Sequence, residues 1–234
     1  PKQFTGLTPG AGYSVTETGV SGWDLTGATC SSSQFPSINP ASITLHNMEN
    51  VTCVFTNTQR GRVIVDKVTA PNPDPTGTSF PFVSNLPGSP SFSLTNAAPP
   101  FNSGLIVPGT YSVSENAPTG WTLSSATCDD GSPVGGIIVG PGETVTCTFT
   151  NTGFGRIIVH KETQPDGSPA VFNYASTYGN PFTLSDGQLN DTGTTVAPGQ
   201  YTVTETVPSG WVLSNIACVD ADGSVNVATG TANI

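Results

Sequence analysis

All three tryptophans and all five cysteines of this 234-residue chain fall on one internal repeat. Tyr13-Ser14-Val15-Thr16-Glu17 returns as Tyr111-Ser112-Val113-Ser114-Glu115 and as Tyr201-Thr202-Val203-Thr204-Glu205. Gly22-Trp23, Gly120-Trp121 and Gly210-Trp211 follow, and seven residues after each tryptophan stands Cys30, Cys128 or Cys218. Tyr, Glu, Trp and Cys all keep offsets of 98 and then 90 residues. A second block, Val-Thr-Cys-x-Phe-Thr-Asn-Thr, occupies 51–58 and 145–152. A lysine-bearing segment comes after it both times, Arg62 to Lys67 and Arg156 to Lys161, 94 residues apart. Self-similarity at a fixed period means one small unit is folded and reused, so the repeat length bounds the domain.

The order within a unit is lysine segment, variable middle, Tyr-x-Val-x-Glu, Gly-Trp, first cysteine, second cysteine, Phe-Thr-Asn. On that order residues 59–152 form a complete repeat, 1–58 the C-terminal part of one and 153–234 the N-terminal part of a third. The chain is expected to be a window on a longer tandem array. Cys218 is then expected to pair with a cysteine outside the chain.

Short Val/Ile/Thr/Tyr/Phe runs alternate in period two and are broken by Pro and Gly, which predicts an all-β fold. A unit of about 94 residues suits a small β-sandwich. Only 9% of residues are charged and the net charge is −10, which excludes nucleic acid as a natural partner. No run of 18 apolar residues exists, so no membrane span is expected in this segment. Cys30 and Cys53 are 23 apart, and Cys128 and Cys147 are 19 apart. This spacing predicts one disulfide per domain in an oxidising compartment. Zinc is the rival, weakened by the absence of Cys-x-x-Cys or neighbouring histidines.

Strand phase brings out the chemistry. In Val145 to Thr152, Val145, Cys147, Phe149 and Asn151 share one face and four threonines the other. The apolar face belongs to the core, so Asn151 points inward. Tyr111, Val113 and Glu115 share a face, as do Val63, Val65 and Lys67. Lys67, Glu115 and Asn151 therefore all sit at inward phase in one domain. Buried charges must pair or neutralise. Burial lowers a lysine pKa and raises that of a carboxyl. A neutral Lys67 amine would attack the Asn151 side-chain carbonyl while Glu115 polarises it and relays protons. The alternatives are a Lys67–Glu115 salt bridge with Asn151 hydrogen-bonded beside it, or strand ends wet enough to solvate all three.

Lysine in the first strand, Tyr-x-Val-x-Glu, and Asn in the last strand resemble the CnaB-type, prealbumin-like (SpaA-like) tandem repeats of microbial surface proteins. The Gly-Trp, paired-cysteine and Val-Thr-Cys-Thr-Phe-Thr-Asn-Thr features resemble the disulfide-bearing variant. The resemblance implies tandem Ig-like β-sandwiches, outside the cell, with an autocatalytic Lys–Asn isopeptide bond assisted by an acid. Carried over, Lys67 is the nucleophile, Asn151 the acceptor and Glu115 the acid/base. Glu17 and Asn57 are the equivalents in the first unit, Lys161 and Glu205 in the third.

Other signals are minor. Asp129-Asp130-Gly131 and Asp220-Ala221-Asp222-Gly223 are similar to calcium loops but lack a full ligand set, and Asp and Gly favour plain turns. Asn50-Val51-Thr52 and Asn190-Asp191-Thr192 are glycosylation sequons. His46 and His160 fit no catalytic or metal pattern, and His160 sits at outward phase. No motif asks for a cofactor or a metal, and any catalysis would act once on the chain itself. The sequence predicts a structural stalk or filament at the cell surface, with copies of itself as neighbours. The alternative is an adhesin that binds glycan or protein ligands of a host or matrix through segments 70–108 and 164–198, where Phe172, Tyr174 and Tyr178 cluster.

Overall fold

The computed structural model describes residues 2–219, 224–226 and 229–233. The Asp220–Gly223 turn lies outside the described residues. The chain divides into two compact units, one of residues 1–68, 72–116 and 123–150, the other of 69–71, 117–122 and 151–234.

The strands lying wholly or mainly in the first unit are β1 (Gly10–Tyr13), β2 (Trp23–Ser31), β3 (Ile43–Leu45), β4 (Thr52–Gln59), β5 (Arg62–Ala70), β6 (Phe80–Ser84), β7 (Ser91–Leu94), β8 (Phe101–Asn102), β9 (Gly109–Tyr111), β10 (Val113–Glu115), β11 (Trp121–Cys128), β12 (Ile137–Val139) and β13 (Thr144–Gly153). Those of the second are β14 (Ile158–His160), β15 (Phe172–Ser176), β16 (Phe182–Leu184), β17 (Leu189–Asp191), β18 (Thr202–Thr206), β19 (Ser224–Asn226) and β20 (Thr231–Asn233). Among the described residues there is no helix, hence none long and apolar enough to cross a membrane.

In the first unit β1 pairs with β3 and β2 with β4, each as a two-stranded ladder. Residues 62–153 form the sandwich proper, with sheets ordered β11-β13-β5-β8 and β10-β6-β7, and the short pair β12-β9. Alternation decides which residues meet between the layers. On β5 every second side chain is buried (Val63, Val65, Lys67 and Thr69), and on β13 likewise Val145, Cys147, Phe149 and Asn151. Phe80 and Phe82 of β6 and Val113 of β10 complete the core. Phe82 meets Phe149 edge-to-face at 5.1 Å, an arrangement that matches ring edges to ring faces. In the second unit the sheets are β16-β15-β18-β20-β19 and β14-β17. Its core is Phe172, Tyr174, Leu184 and Val203, with Trp211 edge-on to Phe172.

The Tyr-x-Val-x-Glu motif is not one strand. It breaks at Ser112: Tyr111 ends β9, which pairs with β12, whereas Val113 and Glu115 belong to β10, which pairs with β6. The phase rule holds for Val113 and Glu115 but not for Tyr111, whose ring closes a corner. Its Oη donates to the Val107 carbonyl at 2.5 Å. Tyr13 and Tyr201 make the same bond, to Thr8 O at 2.9 Å and Ala197 O at 2.7 Å. The break is fixed by side-chain pairing that a period-two pattern cannot express. The Ser112 amide leaves the ladder and donates to Asn85 Oδ1, as the Thr202 amide does to Thr177 Oγ1.

Two connecting segments are also strand-like. Arg60 N donates to Gly22 O, and Gly61 exchanges both backbone bonds with Ile106. Phe154 N donates to Gly120 O, and Gly155 exchanges both bonds with Val196. Gly61 leaves no space for a side chain, since a Cβ there would lie 2.4 Å from Val139 Cγ1 and 2.7 Å from the Glu143 carbonyl oxygen.

Candidate functional site

Lys67 enters the interior because its strand does. It follows Val63 and Val65 on the buried face of β5, and its side chain is 1% exposed. The ammonium lies 4.0 Å above the Phe80 ring. It donates to the carbonyls of Val68 at 2.8 Å and Phe149 at 3.3 Å, and Glu115 Oε2 is 3.8 Å away. Glu115 is placed by β10, opposite Phe82 in register, and its side chain is fully buried. Loss of hydration pushes the Lys67 pKa down, and the Glu115 carboxylate only partly offsets this. Asn151 is fully buried on β13, the strand beside β5, two residues past the Phe149 carbonyl that receives the lysine. The site has the elements of an amide-forming centre: an amine depressed by burial, a buried carboxyl, and a carboxamide on the neighbouring strand.

The second unit repeats the lysine and the acid with a different setting. Lys161 lies 4.0 Å over Phe172 and reaches both Glu205 oxygens at 3.2 Å. Tyr174 replaces Phe82 opposite the acid and donates its hydroxyl to Glu205 Oε2 at 2.9 Å. Burial first, and then Glu205, push the Tyr174 phenol far up, so it stays a neutral donor. In residues 1–59, Asn57 Nδ2 donates to Glu17 Oε1 at 2.7 Å, so acid and carboxamide meet there.

The cysteines sit where neighbouring strands pair. Cys30 faces Cys53 in the β2–β4 register, and the two are bonded. Cys128, the last residue of β11, is bonded to Cys147 of β13. Closing loops of this size stabilises each domain by roughly 3 kcal/mol. Cys218 carries a free, half-buried thiol.

Several residues carry roles that the repeat pattern hides. Phe80 and Phe172 floor the two lysines, yet they lie in the variable middle, where nothing but their place in an apolar strand marks them. Arg60 grips Asp24 with two hydrogen bonds, at 2.8 and 2.7 Å. Arg156 grips Asp191 in the same forked manner. His46 and His160 each face an acid, Glu49 and Glu162 respectively, at 2.9 Å. Of the aromatic cluster expected to serve ligand binding, Phe172 and Tyr174 are core residues and only Tyr178 reaches the surface.

The sequence profile of the prealbumin-like fold domain matches residues 1–59, 63–153 and 157–234. The chain belongs to the prealbumin-like fold family. Solved structures similar to this prealbumin-like chain include the Bacillus anthracis TIE protein, with 16% identity over 80% of this chain and 45% of that one, at a TM-score of 0.33. The pilus adhesin SpaC of Lactobacillus rhamnosus GG in its open conformation has 15% identity over 85% of this chain and 36% of that one, at a TM-score of 0.29. A C-terminal fragment of the same adhesin has 19% identity over 64% of this chain and 76% of the fragment, at a TM-score of 0.28. The chain spans less than half the length of TIE and of open SpaC. No curated protein sequence matches it.

Proposed function

We propose that this chain is part of an extracellular stalk or filament of tandem prealbumin-like sandwiches, braced inside each domain by a disulfide and by a Lys–Asn isopeptide bond. The complete repeat spans 59–152, with parts of two others at 1–58 and 153–234. Family membership supports a surface role, as do disulfides, which persist in oxidising surroundings outside the cell. The observation that carries the brace is the fully buried Lys67–Glu115 pair set over an aromatic ring.

The chemistry balances without any co-reactant. The uncharged Lys67 Nζ attacks Asn151 Cγ, and Glu115 in its acid form hydrogen-bonds the carboxamide oxygen as charge develops there. The proton released by the amine passes through the Glu115 carboxyl to Nδ2 of Asn151. The Cγ–Nδ2 bond breaks, ammonia leaves, and an Nζ–Cγ amide remains. The product removes a buried charge, which favours completion in a dry core. Lys161 with Glu205, and Glu17 with Asn57, are the matching parts in the flanking segments.

Intact mass of the chain after reduction tests the proposal. A deficit of about 17 Da per bond, absent in Lys67→Ala, is the expected result. A reduced mass equal to the sequence mass leaves Lys67 and Glu115 as a buried ion pair and removes the isopeptide.

A further inference from the structure

Corresponding positions in the two units differ in polarity. Ile64 faces Asn102 and Val65 faces Phe101 where β5 meets β8; Ile158 faces Asp191 and Val159 faces Asn190 where β14 meets β17. Asn190 thus stands where residues 63–153 carry Phe101. The turn after β6 and the turn after β15 correspond through the amide bonds of Asn85 and Thr177 to Ser112 and Thr202. Tyr178 thus stands where that segment carries Leu86. In the first unit Leu86 is 2% exposed, and Phe101 stacks on Phe92 at 3.9 Å. In the second unit Tyr178 is half-buried, and its hydroxyl reaches Asn190 Oδ1 at 3.5 Å. A cleft of about 530 Å³ opens beside it, walled by Tyr178 and Tyr201 and edged by Asn180, Asn190, Asp191 and Thr195.

From this replacement of two apolar side chains by polar ones beside an open cleft we infer that the cleft is a binding site for a neutral carbohydrate. The two rings meet edge-to-face at 6.4 Å, which leaves aromatic surface for the C–H face of a sugar ring. Amides and threonine hydroxyls supply both donors and acceptors, as vicinal hydroxyls require. Among the described residues Asp191 is the sole charged lining group, and the Arg156 fork already engages it, so nothing in the cleft selects a charged ligand. The volume suits a mono- or disaccharide. The site is independent of the isopeptide and stands whether or not that bond forms.

The test uses the full chain made in a host without N-glycosylation, so that no sugar on Asn190 fills the cleft. Saturation-transfer NMR is run with the methyl glycosides of galactose, mannose, N-acetylglucosamine and fucose. At least one is expected to bind, with strongest saturation on one ring face. The double variant Tyr178→Leu/Asn190→Phe restores the two apolar side chains and weakens binding at least about tenfold at an unchanged melting temperature. Asn180→Ala, on the exposed rim, supplies the same readout without touching the core. Loss of affinity in either folded variant supports the site. Absence of binding across the four sugars, or affinity unchanged in both variants, overturns it.

Discussion

Lys67, its side chain 1% exposed, lies beside the fully buried Glu115, and the proposed isopeptide rests on this pair. Burial lowers the folded-state pKa of Lys67 below its ordinary 10.5, so between those two values the unfolded chain binds more protons than the folded one. Stability held back by the buried charge therefore returns as pH rises toward 10.5. An amide at Nζ cannot titrate. In Asn151→Ala, where no bond forms, the urea midpoint is expected to climb with pH across this window. The unmodified chain should lack this component, and so should Lys67→Met/Asn151→Ala. Midpoints measured at several pH values decide the matter; equal slopes in all three would show that Lys67 does not set the pH response. Period-two phase is enough to locate the lysine, the glutamate and the asparagine on inward faces. It says nothing of Phe80, because cation–π partners come from a different sheet and leave no spacing in the chain.

Among the elements, the short connections carry most information per residue. Gly61 is held by both backbone bonds to Ile106 while Val139 and the Glu143 carbonyl crowd its Cα. Gly61→Ala is expected to destabilise by about 1–3 kcal/mol, because backbone rather than a flexible side chain must yield. Gly135, with open space around it, is the control. Urea unfolding of Gly61→Ala and Gly135→Ala should give a clear loss for the first and little change for the second. A neutral Gly61→Ala would mean the connection has slack. The Tyr corner shows the limit of alternation. Tyr111, Val113 and Glu115 read as one alternating run in the sequence, but a hydroxyl-to-carbonyl bond four residues back and an Asn85 side chain break it into strands of two different sheets. Local alternation records which side is apolar; it does not record where a strand changes partner.

For the molecule as a whole, the question is how the chain responds to load. The isopeptide proposed between Lys67 and Asn151 would enclose residues 67–151, so tension would pass from β5 to β13 without unzipping the sheets between. In reducing buffer, Lys67→Ala should show an added unfolding step of roughly 28 nm in single-molecule pulling, the extended length of the enclosed segment. The unmodified chain should lack that step. Equal extension in both would mean that hydrogen bonds alone bear the load.

The sequence by itself determined the repeat, the all-β class, the family and the inward placement of Lys67, Glu115 and Asn151, because a small unit reused at a fixed period writes its strand phase into the chain each time. The tertiary structure alone decided three further things. It set the aromatic floor beneath each lysine, the corner that splits Tyr from Val-x-Glu, and the cleft beside Tyr178 and Asn190, which stand where residues 63–153 carry Leu86 and Phe101. All three depend on residues far apart in sequence meeting across a sheet or between sheets, and such contacts have no period to betray them.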